Sequence, residues 1–200
     1  MRLPADATLL VIDMQVAIDD PKWGPRNNLG AEGNIAALLA IWRRERLPLI
    51  HVRHDSINAD SPYRPGAPGH DFKSEAMPLP GEMVIGKSAQ SAFIAPALEQ
   101  ALDALGATTL VVCGVLTNNS VEATVRHGGN LGYRIFLVED ACWAVDKRDL
   151  LGRLWPAQDV HALSLAIMQG EYAEVVTCRQ ALAAGGQAMA RRRAKTQAPG

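Results

Sequence analysis

Short aliphatic and β-branched runs alternate along the chain with stretches in which apolar residues recur every three or four positions. The runs are 8–12, 49–52, 83–85, 108–113, 134–138 and 174–177. Several are apolar almost throughout, as strands covered on both faces require. Between them Ile35, Leu38, Leu39 and Trp42 fall at helical spacing, and Leu98, Ala101, Leu102 and Leu105 repeat it. Val160, Leu163 and Ile167 form a third stripe. The alternation predicts a doubly wound, three-layer α/β/α fold around a six-stranded, mainly parallel sheet. Right-handed crossovers then gather the loops leaving the strands' carboxyl ends along one edge, where ligands bind in such folds.

Two regions break this rhythm. Residues 56–80 carry Pro62, Pro65, Pro68, Pro78 and Pro80 with Gly66 and Gly69, and read as one long ordered loop. A loop of that length is either functional or a surface decoration, and both readings stay open. From Ala184 onward Gly185-Gly186 precedes Arg191, Arg192, Arg193 and Lys195, which predicts a basic, frayed tail over 184–200 behind a single domain of 1–183.

Composition narrows the function. With 48% hydrophobic and 20% charged residues, the 200-residue chain has material for a real core and is not a disordered sequence. Lys plus Arg number 20 against 21 Asp plus Glu, so no bulk positive field exists to attract nucleic acid. No apolar run approaches the ~18 residues of a membrane helix. The first fifteen residues hold one Arg and no small-residue cleavage site, so no signal peptide is expected. Cys113, Cys142 and Cys178 form no CxxC, which suits reduced thiols and a cytoplasmic setting.

Chemistry is concentrated at strand ends. Asp13 follows the apolar run Leu9-Leu10-Val11-Ile12, where a carboxylate is costly unless paired or catalytic. Lys87 follows Val84-Ile85-Gly86 in the same way, although a lone Lys is most often a solvated residue. An apolar strand then leads through Gly114 into Thr117-Asn118-Asn119-Ser120 and a helical stretch. Thr117, Asn118 and Asn119 are capping types, and Glu122 is placed to complete a cap. Ser120 is thereby expected in a first helical turn, where free N–H groups favour a nucleophile and an oxyanion, or where it simply belongs to the cap. No GxGxxG follows the first strand, and neither a P-loop nor HExxH occurs. His51, His54 and Asp55 lie close in sequence but lack an obvious third metal ligand.

These residues resemble the isochorismatase-like cysteine hydrolases, a family that includes nicotinamidases, N-carbamoylsarcosine, ureidoacrylate and biuret amidohydrolases, and isochorismatases. The resemblance spans roughly 7–177 and rests on LLVIDMQ at the first strand, GEMVIGKSAQSAF around Lys87, and GVLTNNSVEATVRHGGNLGYRIFLVEDA from Gly114. It implies an Asp–Lys–Cys triad, with Asp13 as general acid and base, Lys87 as its orienting cation, and Ser120 at the cysteine position. It also implies a cis peptide at Val115-Leu116 and an oxyanion hole from the Leu116 and Ser120 amides. Gln15, Trp23 and Asn119, adjacent to these positions in sequence, are expected to line the pocket.

Two departures refine this. A serine hydroxyl is far less acidic than a thiol, and no histidine is placed by sequence to complete a serine triad. The serine is read as a change that inactivates a Cys-bearing parent and lets it trap substrate. The alternatives are a vinyl ether hydrolase of isochorismate type, with Asp13 as acid and no thiol, a natural serine amidase, and a catalytically dead small-molecule binding protein. Nicotinamidases carry an Asp-x-His metal pair, whereas this chain reads Arg53-His54-Asp55-Ser56, so no metal or other cofactor is expected. The resemblance thus implies hydrolysis of a small linear amide or ureide through a thioester-type intermediate, by a homo-oligomer (dimer or tetramer) that needs neither nucleic acid nor membrane.

Overall fold

The computed structural model describes residues 3–4 and 7–196. Its elements are β1 (Thr8–Ile12), α1 (Ala31–Glu45), β2 (Leu49–His54), β3 (Met83–Lys87), α2 (Pro96–Leu105), β4 (Thr109–Val115), α3 (Glu122–Asn130), β5 (Arg134–Trp143), β6 (Lys147–Arg148), β7 (Leu154–Trp155), α4 (Ala157–Met168), β8 (Glu174–Val176) and α5 (Cys178–Thr196). Six of the strands pair in parallel in the order β3-β2-β1-β4-β5-β8, the doubly wound sheet that the alternating pattern predicts. The central strands β1 and β4 are buried at every residue, which explains their unbroken apolar sequences. Strand order reverses between them, so the topological switch point lies where Asp13 leaves β1 and Val115 leaves β4.

At that point the two backbones nearly touch. Gly114 pairs with Ile12, has φ +121°, and leaves no room for a side chain, because a Cβ there would overlap the Ile12 carbonyl oxygen. Only glycine combines this backbone with this approach.

Four features differ from the sequence reading. β5 continues past Val138 through a bulge, at which Asn28 Nδ2 donates to the Glu139 and Cys142 carbonyls and Asn34 Nδ2 to that of Asp140. The backbone is helical to Thr196 where a frayed tail from 184 was expected, with the basic side chains at 191–195 outside the described residues. Thr177 and Gln180 form a capping box, Asp140 Oδ1 accepts the Cys178 N–H, and Gly185 brings α5 against the Trp42 ring of α1. The stripe of Val160, Leu163 and Ile167 does not face the core: α4 turns inward His161, Ser164, Leu165 and Met168 and leaves Leu163 and Ile167 exposed. Finally, β6 and β7 form a hairpin that no sequence signal had marked.

Glu82 locks the β3 edge of the sheet. Its carboxylate accepts from Arg43 of α1 at 2.7 and 2.9 Å, from the Leu79 N–H at 2.8 Å, and lies 3.0 Å from His51 Nε2 of β2. Partial burial raises its pKa, but the Arg43, Leu79 and His51 bonds outweigh this and hold it down at about 2. A depressed carboxylate stabilises the fold above its unfolded pKa and loses that contribution as pH falls through the folded one. Glu82→Gln is expected to cost about 1 to 2 kcal/mol at pH 7, the full shift being reduced by solvent screening of a partly exposed group. In urea titrations the gap to the parent should close between about pH 4.5 and pH 2.

Candidate active site

Asp13 follows β1 in the left-handed region at φ +52°, a conformation rare for a residue with a side chain and characteristic of functional sites. Its N–H donates to the Val52 carbonyl, and its carboxylate is buried. Lys87, the last residue of β3, is buried too and reaches past the end of β2. Its ammonium donates to Asp13 Oδ2 at 2.8 Å, to the Ala89 carbonyl at 3.1 Å and to Ser120 Oγ at 3.2 Å. Asp13, Lys87 and Ser120, widely separated in sequence, thus meet at the switch point. Asp13 Oδ1 has no hydrogen-bond partner among the described residues.

Ser120 lies in a wide turn, Thr117–Val121, between β4 and α3, and the Val115-Leu116 peptide before it is cis. The capping expected here is not formed. No side chain caps the turn or α3, Asn119 leaves helical geometry at φ −135°, ψ −105°, and Glu122 instead pairs with Arg126 and accepts from Ser164. The cause is α4, whose polar side chains compete successfully for the turn's own polar groups.

A cavity of about 180 Å³ opens over these groups. Asp13, Leu116, Asn119, Ser120 and Trp23 line it, and so do His54, Tyr63 and Lys147. Gln15, expected in the lining, is absent from it. Its amide donates to the His54 and His70 carbonyls and accepts the His54 N–H, so it ties the end of β2 to the 56–80 loop. That loop contributes Ser61 and Tyr63 to the wall, Tyr63 lying edge-on to His54 with centroids 5.7 Å apart and tilted to Trp23 at 6.4 Å.

The sequence reading missed His54 as a wall residue. It ended β2 at Val52, whereas pairing with β3 carries the strand to His54, opposite Lys87. His54 Nδ1 is 3.5 Å from Lys87 Nζ. His51 contacts Glu82 and Asp55 contacts His70 and Arg53, so the three residues of the HVRHD segment point to different partners. Among the described residues no cluster of three or more His, Cys, Asp or Glu side chains is placed to hold a metal ion.

Burial pushes the Asp13 pKa up, and the nearby Lys87 offsets this only in part. Burial and then the Lys87 charge push that of His54 down, which favours a neutral imidazole. A buried carboxyl with raised pKa and one unpartnered oxygen is suited to take up or deliver a proton. Lys87 meanwhile places a positive charge on the group at position 120.

Residues 7–180 match the model of the isochorismatase domain. Over 172 residues the chain is 37% identical to the uncharacterized isochorismatase family protein YrdC of Bacillus subtilis (strain 168), covering 86% of this chain and 92% of that one. It is 27% identical over 175 residues to the ureidoacrylate amidohydrolase RutB of Variovorax paradoxus (strain S110), covering 68% of each. The crystal structure of a putative hydrolase of the isochorismatase family from Chromobacterium violaceum superposes with a TM-score of 0.91 at 54% identity, covering 94% of this chain and 97% of that one.

Proposed function

The chain belongs to the isochorismatase family and is a hydrolase of it, and from that premise we propose that its site is built to cleave the C–N bond of a small linear amide or ureide. The observation that carries this reading is the bridge made by Lys87 between Asp13 and position 120, with Asp13 Oδ1 left unpartnered beside it. In a parent with cysteine at position 120, Asp13 accepts the thiol proton and the thiolate attacks the carbonyl carbon. The amides of Leu116 and position 120 receive the oxyanion. Asp13 then gives the proton to the nitrogen as the C–N bond breaks, and an amine or ammonia leaves a thioester-type intermediate. A water loses its proton to Asp13 and attacks the thioester, and the thiol is restored as acid is released. No step calls for a cofactor.

Trp23, Tyr63 and Asn119 shape the space for the substrate, and the serine chain holds substrate with little turnover. Similarity to an amidohydrolase of ureidoacrylate supports the ureide class. The test is ammonia release from ureides, carbamoyl compounds and carboxamides by the Ser120→Cys protein, with the unsubstituted chain as reference. No release from any of them would remove the amidohydrolase reading.

A second reading has its own support. A carboxyl whose pKa is raised by burial is a competent acid, and protonation of a vinyl ether needs no thiol. Cleavage of isochorismate by the serine chain, with no amidase activity gained on Ser120→Cys, would establish it.

The protein is further proposed to work as a homo-oligomer without nucleic acid or membrane. No helix among the described residues is long and apolar enough to cross a membrane. The outward stripe of α4, Val160, Leu163 and Ile167, forms an apolar groove with Trp155, bordered by Glu122, Lys147 and Asp159. Beside it the β6–β7 hairpin holds Leu150 and Leu151 fully exposed, flanked by Arg148 and Arg153. Asp149 stiffens this tip: its carboxylate accepts from the Leu151 and Arg153 N–H groups and from Trp155 Nε1, its carbonyl accepts the Gly152 N–H, and its own N–H donates to the Arg153 carbonyl. An exposed apolar tip and an apolar groove on one chain suit a second copy. Leu150→Asp with Leu151→Asp should lower the sedimentation mass to that of a monomer, and an unchanged mass would place the interface elsewhere.

A further inference from the structure

Polar side chains of α4 brace the turn that carries Ser120. Its Asn118 and Asn119 depart from helical geometry, while the Asn119 and Val121 N–H groups donate to the Leu116 carbonyl and the Glu122 N–H to the Asn119 and Thr117 carbonyls. Side-chain support comes from α4. His161 Nδ1 lies 2.8 Å from Thr117 Oγ1, and Ser164 Oγ donates to the Thr117 carbonyl at 3.3 Å. On the far side of the ring, His161 Nε2 lies 3.3 Å from Asn28 Nδ2. Asn28 in turn donates from Nδ2 to the Glu139 and Cys142 carbonyls at the β5 bulge. His161, Thr117 and Ser164 are all buried.

The proton on the ring can be located. Two carbonyl acceptors identify the Asn28 atom as the amide nitrogen, which has no lone pair to offer. An N–H at His161 Nε2 would point at that nitrogen unfavourably, whereas a lone pair there can share one of the two Asn28 N–H groups with a carbonyl, so Nε2 is the unprotonated nitrogen. The proton then sits on Nδ1 and is donated to Thr117 Oγ1. An imidazolium would set N–H against N–H at Asn28, and burial independently disfavours it.

We propose that His161, as the neutral Nδ1–H tautomer, is a positioning residue that pins the Leu116–Val121 segment and so fixes the nucleophile and the oxyanion amides relative to Asp13. This rests on the amide hydrolase reading for its catalytic consequence, but not for its structural one. The polar chain Asn28–His161–Thr117 ties the nucleophile turn to the bulge of β5, a strand that supplies no residue to the cavity lining. It also accounts for the direction in which α4 faces: pointing His161 and Ser164 at the turn rotates the apolar stripe outward.

The decisive measurements use the intact chain. Nitrogen-15 spectra of the His161 imidazole should show the neutral Nδ1–H pattern, and an Nε2–H pattern would overturn the proposal. Amide hydrogen exchange across 116–121 should rise by about tenfold in His161→Leu, with β1 and β4 amides little changed. His161→Asn, whose amide can donate where Nδ1–H does, should restore most of the protection. Unchanged exchange in the turn, equal acceleration throughout the sheet, or failure of Asn to do better than Leu would each overturn it. In the Ser120→Cys background, His161→Leu should lower kcat by about tenfold or more while KM moves little. Absence of all turnover in Ser120→Cys itself would count against the amide hydrolase reading, while the exchange and nitrogen-15 results still decide the role of His161.

Discussion

Ser120→Cys is expected to raise hydrolysis of small ureides and carboxamides by about 10³-fold or more. Lys87 Nζ already sits 3.2 Å from the side-chain oxygen at this position, so the cation awaits a negative charge. A thiol with a reference pKa of about 8.5 can be brought into the working range by such a neighbour, whereas a hydroxyl starts much too high. The wall residues and the Leu116 amide do not depend on the exchange, so substrate affinity of the two proteins should agree within a few-fold. Single-turnover kinetics on the substituted protein should show a burst of amine before steady state, since two half-reactions share one nucleophile. Equal rates from the two proteins, or loss of binding on substitution, would remove position 120 from the chemistry.

Asp13→Asn in the Ser120→Cys background should reduce turnover by about 10²- to 10⁴-fold, because in the proposed mechanism one proton carrier serves both halves of the reaction. Its effect on stability should run the other way. Burial raises the Asp13 pKa despite Lys87, so the native state holds a proton at pH values where the unfolded chain has released it. Between the ordinary carboxylate range and that raised value, stability falls as pH rises. Asparagine carries no such penalty and leaves Lys87 with the Ala89 carbonyl and the group at position 120 as acceptors. Urea titrations should therefore find the variant more stable than its parent at neutral pH, and the margin should shrink as pH approaches 4. A variant less stable at pH 7 would mean that pairing with Lys87 outweighs desolvation.

How much was legible in the sequence depended on whether a signal was local. Asp13 and Lys87 could be picked out because a charge at the end of an apolar run is conspicuous, and the order of strands and helices followed from periodicity. The end of β2 was not visible, since Arg53 and His54 read as loop until β3 lies beside them. Tyr63 comes from a loop that no periodicity describes. The face of α4 was misread because hydrophobic spacing takes no account of a polar turn that needs His161 and Ser164. For α5 the cue was present in Thr177 and Gln180, but Gly185-Gly186 was read as a break when the first of these glycines serves close packing on Trp42. Gln15 was placed by proximity to Asp13, and proximity in sequence does not say which way a side chain turns.

The glycine contact between β4 and β1 separates two things that active sites often bind together. Gly114 sets how closely the strand leading to position 120 approaches the strand leading to Asp13, and it does so through backbone atoms alone. The side chain at position 120 takes no part in that spacing. In the proposed mechanism the group at position 120 is thus an exchangeable component: it can change or be dispensed with while Asp13, Lys87 and the Leu116 amide stay in register. Reactivity can drift at one position without refolding the scaffold, whereas any side chain at Gly114 would disable every chemistry the cavity supports at once.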